Sequence, residues 1–231
     1  MELTRIGTDF EQFTVRLDLS TIPEAAQFVA REKELAEMYK LLYGRSTRSA
    51  IVLHGLGGMG KTQLAIEYIR RHKEKYTAIF WLNANDDDSL KRSFRDAAQQ
   101  ILNDLPSDNI LSSVNLEGEL DQVADAVKAW LSLLKNTRWL VVYDNYDNPR
   151  TASSSDPSAV DVRLYIPGAD QGSIIITTRS SQVTHGQRLH IQKLPHAQSL
   201  EILSNTSGRK DIENGMFLRG LYIFVRIPLT R

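Results

Sequence analysis

One eight-residue segment constrains the fold more than any other feature of the chain. Residues 55–62 read GLGGMGKT and fit the Walker A pattern G-x-x-x-x-G-K-[ST]. The β-branched run at 50–54 predicts a buried strand before this segment, and residues 62–72 predict a helix after it. Glycines let a backbone curl until successive N–H groups point at phosphate oxygens, and the positive end of the following helix adds to the attraction. The segment therefore predicts a phosphate-binding loop between a strand and a helix.

The side chains that close this loop indicate what it binds. Lys61 is placed to reach the β- and γ-phosphates of a nucleotide, and the Thr62 hydroxyl suits Mg²⁺, a hard cation that prefers oxygen ligands. A glycine-rich turn with an incidental lysine is the alternative, which the flanking strand and helix disfavour. The predicted cofactors are ADP or ATP with Mg²⁺, and the predicted contacts of the loop are Gly55, Gly57, Gly58, Met59, Gly60, Lys61, Thr62 and Gln63.

A second apolar run, at 140–143, ends in a carboxylate and has the form of a Walker B strand. Asp144 is therefore the predicted partner of Thr62 at the metal, and the alternative is a polar residue that only closes the strand. Many proteins with this arrangement that hydrolyse ATP carry an acidic residue at the next position, whereas this chain has Asn145, so we expect poor hydrolysis. Asp147 either substitutes as the base or starts a turn with the Asn-Pro that follows it.

An arginine follows the apolar run at 174–176 by three residues. We predict that Arg179 faces the γ-phosphate, because a guanidinium fork matches phosphate geometry. The alternative is a solvated arginine in a loop. Asp144, Asp147 and Arg179 are thus the candidate catalytic residues.

Hydrophobic periodicity predicts the fold class. Strands are predicted at 50–54, 78–82, 139–143, 173–177 and 189–191, and helices at 62–72, 90–105 and 120–134, the second of them capped by Asp88-Ser89. Alternating strands and helices are typical of a parallel sheet covered by helices. We therefore expect an α/β, three-layer P-loop NTPase fold with a mostly parallel five-stranded sheet and helices on both faces. The polar segment 148–160 is predicted to be a mobile surface loop.

The composition disfavours several other functions. Lys plus Arg and Asp plus Glu both number 28, and this zero net charge removes the general attraction to phosphate on which non-specific nucleic-acid binding depends. The chain has no cysteine, and its five histidines lack metal-ligand spacing, so no zinc site is expected. The longest apolar run, 221–225, is far below the roughly 20 residues that span a bilayer. We expect no nucleic-acid partner, no membrane partner and a cytoplasmic location.

Several motifs together resemble the NB-ARC family of signal-transduction NTPases, also called STAND NTPases. Besides the loop at 55–62, the matching segments are FVARE at 28–32, FWLNA at 80–84, DNYD at 144–147, YIP at 165–167, GSIIITTR at 172–179 and Leu194-Pro195. The resemblance covers residues 28–205 and is closest to the fungal-type members. It implies an ADP/ATP switch whose partners are other protein domains or further copies of the chain. It also implies that the region of Arg31 contacts the adenine end of the nucleotide.

The family pattern weakens towards the carboxyl end of the chain. A following helical domain and a winged helix are expected in the family, and only Ile227-Pro228-Leu229-Thr230 resembles the motif of the former. We therefore predict a truncated core: a weakly patterned segment 1–27, a nucleotide-binding domain 28–207 and an atypical tail 208–231 that drives self-association. The expected function is a switch that is at most a slow NTPase. The alternatives are an ATPase with steady turnover and a fragment without switch function.

Overall fold

The computed structural model describes residues 11–17, 28, 31–44, 47–151, 156, 158–196 and 198–200. The predictions for the tail 208–231 lie outside the described residues, and so do those for most of the segment 1–27. Within the described part, every helix is too short or too polar to cross a bilayer.

A parallel sheet of five strands forms the centre of the domain. The strands are β1 (Ser49–His54), β2 (Ala78–Asn83), β3 (Trp139–Asp144), β4 (Ser173–Thr178) and β5 (Gln187–His190). Their order is β2-β3-β4-β1-β5, and each neighbouring pair is parallel. The predicted sheet is therefore confirmed. The order matters for function because β4 lies between β1, which leads into the glycine-rich loop, and β3, which ends in Asp144.

Helices cover both faces of this sheet, as predicted. They are α1 (Glu32–Leu42), α2 (Lys61–His72), α3 (Asp87–Asp104) and α4 (Leu120–Leu131), and short 3₁₀ turns lie at Glu11–Phe13, Lys73–Lys75, Leu111–Ser113 and Val162–Tyr165. On one face α1 and α2 pack against alternate strand residues such as Leu53 and Ile175. On the other face α3 and α4 pack against the intervening residues, such as Val52 and Ile176. This alternation is the two-residue period of a strand that is buried on both sides.

Two helix boundaries differ from the prediction. The cap of α3 is Asp86, which has extended backbone and accepts a hydrogen bond from the Ser89 N–H at 2.7 Å, so the predicted cap Asp88-Ser89 is wrong. Helix α4 ends at Leu131, because the Gln171 amide and the Trp139 indole N–H take the Leu131 carbonyl. Leu134, which the pattern placed on the buried side of this helix, is 88% exposed.

The segment 148–160 is also corrected in part. Pro149 forms a parallel bridge with Val160, and the Arg150 N–H donates to the Val160 carbonyl at 2.7 Å. Ala159 and Val160 are buried. The prediction of a surface loop is therefore wrong for this end of the segment, which contributes to the core.

Candidate nucleotide site

The glycine-rich loop lies at the carboxyl edge of the sheet, between β1 and α2. Its first residue, Gly55, has φ 153°, and a Cβ built there would lie 2.5 Å from the Ile191 carbonyl oxygen. Gly60, just before α2, adopts the left-handed conformation with φ 81°. The conformation of Gly60 favours glycine, and the absence of a Cβ at Gly55 explains why the loop can lie this close to the chain that leaves β5.

A pocket of about 480 Å³ opens above this loop. Its lining residues are Gly57, Gly58, Gly60, Lys61, Thr62, Gln63, Asn145, Asp147, Thr177 and Arg179. The structure therefore brings together residues from the loop, the end of β3 and the end of β4, which are far apart in the sequence. Of the predicted contacts, Gly55, Met59, Asp144 and Arg31 do not line this pocket, and nucleotide contacts by any of the predicted residues remain predictions.

Lys61 is folded back into the loop. Its Nζ donates to the carbonyl oxygens of Gly55 at 2.8 Å and Leu56 at 3.0 Å, and only 9% of the residue is exposed. Burial lowers the pKa of Lys61, and Arg179 lowers it further, whereas Asp147 and Asp144 oppose the shift. A phosphate in the pocket would offer this ammonium charged oxygen acceptors. These make stronger hydrogen bonds than the neutral carbonyl oxygens that Lys61 contacts now.

Thr62 and Asp144 are in direct contact, as the metal-site prediction requires. The Thr62 Oγ1 donates to the Asp144 Oδ1 at 2.9 Å, and the Thr177 hydroxyl donates to the same oxygen. Asp144 is buried, and burial raises the pKa of its carboxyl group, whereas the bonds from Thr177 and Thr62 lower it. These are hard oxygen donors, and Mg²⁺ is commonly held by one or two such protein groups together with phosphate and water. The residues present therefore fit a magnesium ion, which Thr62 and Asp144 would hold.

Asn145 turns the chain away from the sheet immediately after Asp144. It has φ 63°, a left-handed conformation that Asn tolerates better than most residues. Its N–H donates to the Thr177 hydroxyl at 3.0 Å, and its amide Nδ2 donates to the Asp144 Oδ2 at 3.2 Å. The side chain at this position is thus an amide held against the carboxylate of Asp144.

Asp147 and Arg179 bind each other at the rim of the pocket. The Asp147 Oδ1 accepts from the Arg179 main-chain N–H at 2.6 Å, and the Oδ2 accepts from the Arg179 Nε. The side chain of Asp147 therefore bonds a residue 32 positions away and does not cap a local turn, so the turn interpretation is wrong for this side chain. Arg179 is a loop arginine with 63% of its side chain exposed, yet it lies against the loop glycine Gly57.

Arg31, which the family resemblance places near the adenine end of the nucleotide, bonds to protein atoms in this structure. Its Nη2 donates to the carbonyl oxygens of Met59 at 2.8 Å and Gln192 at 2.9 Å, and its Nη1 donates to Glu34 at 3.0 Å. The residue is buried and has φ 72°. Its guanidinium joins the glycine-rich loop to the chain that leaves β5, and contact with adenine stays a prediction.

Sequence reasoning did not identify Thr177 as part of this site. Its hydroxyl donates to Asp144 and accepts from the Asn145 N–H, so it fixes the end of β3. The available signal was the position of Thr177 near the end of the run at 173–178. In the sheet, Tyr143 is paired with Ile176, which brings the next residue of each strand together.

A glycine-rich loop of this sequence and position on a parallel five-stranded sheet defines a P-loop NTPase. Within that class the chain belongs to the AAA ATPase domain family, which matches residues 27–156. A nucleotide-binding leucine-rich repeat (NLR)-like protein from Hyaloscypha variabilis is 26% identical over an alignment of 196 residues, with 78% of this chain and 19% of the relative covered. The chain therefore spans about a fifth of the length of that relative.

Two solved structures resemble the domain at low sequence identity. Cdc6p from Pyrobaculum aerophilum has a TM-score of 0.51 and 14% identity, with 84% of this chain and 54% of that chain covered. Drosophila ORC, solved bound to DNA, has a TM-score of 0.50 and 16% identity, with 77% of this chain and 46% of that chain covered. At these identities the likeness shows the fold alone, and it agrees with the α/β P-loop architecture.

Proposed function

We propose that this chain is the ADP- and ATP-binding switch module of a STAND-type signalling protein of the NB-ARC kind, with slow or negligible hydrolysis. The observation that carries the proposal is the amide of Asn145, which donates to the carboxylate of Asp144. An amide cannot accept a proton from an attacking water as a carboxylate can. Nucleotide bound here would persist long enough for its identity to control a partner surface.

The contacts of the proposed site follow from the pocket and its surroundings. Lys61 and the loop glycines would bind the phosphates, Gln63 lies among the lining residues, and Thr62 with Asp144 would hold Mg²⁺. The bound ion would neutralise phosphate charge and orient the terminal phosphate. Arg31 is buried behind the loop and would support its conformation by donating a hydrogen bond to the Met59 carbonyl oxygen.

The relative from Hyaloscypha variabilis supports the proposed signalling role, because that protein is described as NLR-like. On this basis the partners are other protein domains or further copies of the chain, and the location is cytoplasmic. No nucleic-acid or membrane partner is proposed, since the chain carries equal numbers of basic and acidic residues.

One observation favours a second candidate, an ATPase with steady turnover. The carboxylate of Asp147 lines the same pocket as Lys61 and Thr62, where a base for the attacking water would be needed. Both of its oxygens accept from Arg179, which is why the switch is the preferred function.

Steady-state phosphate release, measured together with the nucleotide that co-purifies with the protein, separates these functions. The switch predicts retained ADP or ATP and at most about one turnover per minute, far below the roughly 1 to 100 per second of kinases. Asn145→Asp should raise the rate if water is already correctly placed. Rapid turnover by the unchanged chain would place it among the ATPases, and a folded chain without nucleotide that binds none would be a fragment without switch function.

A further inference from the structure

Among the described residues, Asp147 holds the guanidinium of Arg179 along its Nε edge. One carboxylate oxygen of Asp147 accepts a hydrogen bond from the Arg179 Nε, and the other accepts from the main-chain N–H of Arg179. The two terminal amino groups carry the other four N–H donors of an arginine side chain. Within the described part of the chain, these amino groups make no hydrogen bond to protein, whereas the Nε of the same side chain is bonded to Asp147.

The free end of this side chain lies at the phosphate loop. The Arg179 Cδ is 3.6 Å and the Nη1 is 4.0 Å from the position that a Cβ on Gly57 would occupy. Arg179 and Asp147 both line the pocket that contains Lys61 and Thr62. The unpaired fork therefore lies where a phosphate chain bound to the loop would continue.

The contacts of Asp147 show whether its carboxylate orients the Arg179 guanidinium or competes with phosphate for it. A carboxylate that competed with phosphate would take the terminal amino groups, because they form the end of the fork that binds oxyanions in two-point contacts. Asp147 takes the Nε edge and the backbone instead. An exposed arginine loses rotamer freedom when it binds a ligand, and a side chain that is already fixed loses less.

We propose that Asp147 is a positioning residue that fixes Arg179 so that its two terminal amino groups recognise the terminal phosphate, which sets the preference of the site for ATP over ADP. The inference rests on the proposed nucleotide-binding function and adds to it the residue that distinguishes the two switch states. Asp147 acts through Arg179 and takes no proton from water.

Loss of the Asp147 charge and loss of its positioning role change the ratio of ATP to ADP affinity in opposite directions. Removing the negative charge of Asp147 would by itself strengthen the binding of both nucleotides, and of ATP more than ADP, because ATP carries more negative charge. If Arg179 is no longer positioned, ATP loses a contact that ADP does not make, and the ratio of ATP to ADP affinity falls. A fall in the ratio of ATP to ADP affinity after Asp147→Ala is therefore a result that the loss of charge does not produce.

The experiment is a double-mutant cycle read by calorimetric titration of ATP and ADP, each with Mg²⁺. We expect Asp147→Ala and Arg179→Ala each to lower the ratio of ATP to ADP affinity about tenfold, the loss of one charge-assisted contact. The double variant should show no further fall, because Asp147 has no side chain to position once Arg179 is absent. Retained binding of ADP is the control for folding, and the isosteric Asp147→Asn should give a smaller fall if the alanine variant does not fold.

An unchanged or raised ratio in Asp147→Ala, with ADP affinity retained, would overturn the inference while leaving the proposed function intact. An unchanged ratio with strongly reduced phosphate release would assign Asp147 as the base of an ATPase instead. If the unchanged chain, shown to be folded, bound neither nucleotide, the proposed function itself would fail.

Discussion

Arg31 offers a perturbation whose outcome separates a structural clamp from a nucleotide contact. Its buried guanidinium donates to the carbonyl oxygens of Met59 and Gln192, and these bonds join the phosphate loop to the chain after β5. Arg31→Ala removes both bonds and leaves the two carbonyl groups without this donor. Glu34 loses its ion-pair partner too, but its side chain is 28% exposed and can be rehydrated.

The expected loss of stability follows from these contacts. Hydrogen bonds to a charged group contribute about 1.5–3 kcal/mol each and are not additive, so we expect the free energy of unfolding to fall by about 3 kcal/mol. For a domain of this size that corresponds to a melting temperature lower by roughly 6–12 °C. Arg31→Gly should be about 1 kcal/mol more stable than Arg31→Ala, because the native φ of 72° strains any residue with a Cβ.

Urea denaturation without nucleotide measures this effect directly. A matched control is Arg92→Ala, since Arg92 is an exposed helix residue whose ion pair with Asp88 has a 3.8 Å separation, and its loss should change the free energy by less than about 0.5 kcal/mol. If Arg31→Ala left the urea midpoint unchanged and weakened nucleotide binding, the clamp would be refuted and the adenine contact supported.

Two further predictions concern the start of α3 and the metal. Asp86→Ala should lower the free energy of unfolding by about 1 kcal/mol and Asp88→Ala by less than about 0.5 kcal/mol, because Asp86 accepts the Ser89 N–H. Hydrogen bonds lower the pKa of Asp86 in the folded state, so this contribution is present above its unfolded pKa of about 3.9 and is lost as the pH falls below it. Urea titrations that placed the larger loss at Asp88 would contradict the assigned cap. Asp144→Asn should abolish the tightening of ATP binding by Mg²⁺, and an unchanged dependence on Mg²⁺ in calorimetry would show that Asp144 is not at the ion.

The parts of the fold that the sequence predicts well are those set by local patterns. The strand cores and α2 lie within one or two residues of their predicted positions, because short β-branched runs between turn signals favour a buried strand. Helix α1 was missed although Leu35, Met38 and Leu42 have helical spacing. Its first turn follows Arg31 in a left-handed conformation without a side-chain cap, so the usual start signal is lacking.

The parts that the sequence does not predict depend on contacts between distant residues. The end of α4 is decided by Gln171, which binds the Leu131 carbonyl from 40 positions away. The role of Asp147 depends on Arg179, which becomes its neighbour only when β3 and β4 lie side by side. Local patterns identify Asp147 and Arg179 as candidates. The contact between them depends on the tertiary structure.

The most direct test of the account is calorimetric titration of Mg²⁺-ATP into the unchanged chain and into Lys61→Ala. The Nζ of Lys61, now bound to the carbonyl oxygens of Gly55 and Leu56, should transfer to phosphate when nucleotide binds. We predict that the variant binds roughly 10- to 150-fold more weakly, the loss of a charge-assisted contact of about 1.5–3 kcal/mol. Equal affinity in the two folded proteins would contradict the assignment of this loop as the nucleotide site.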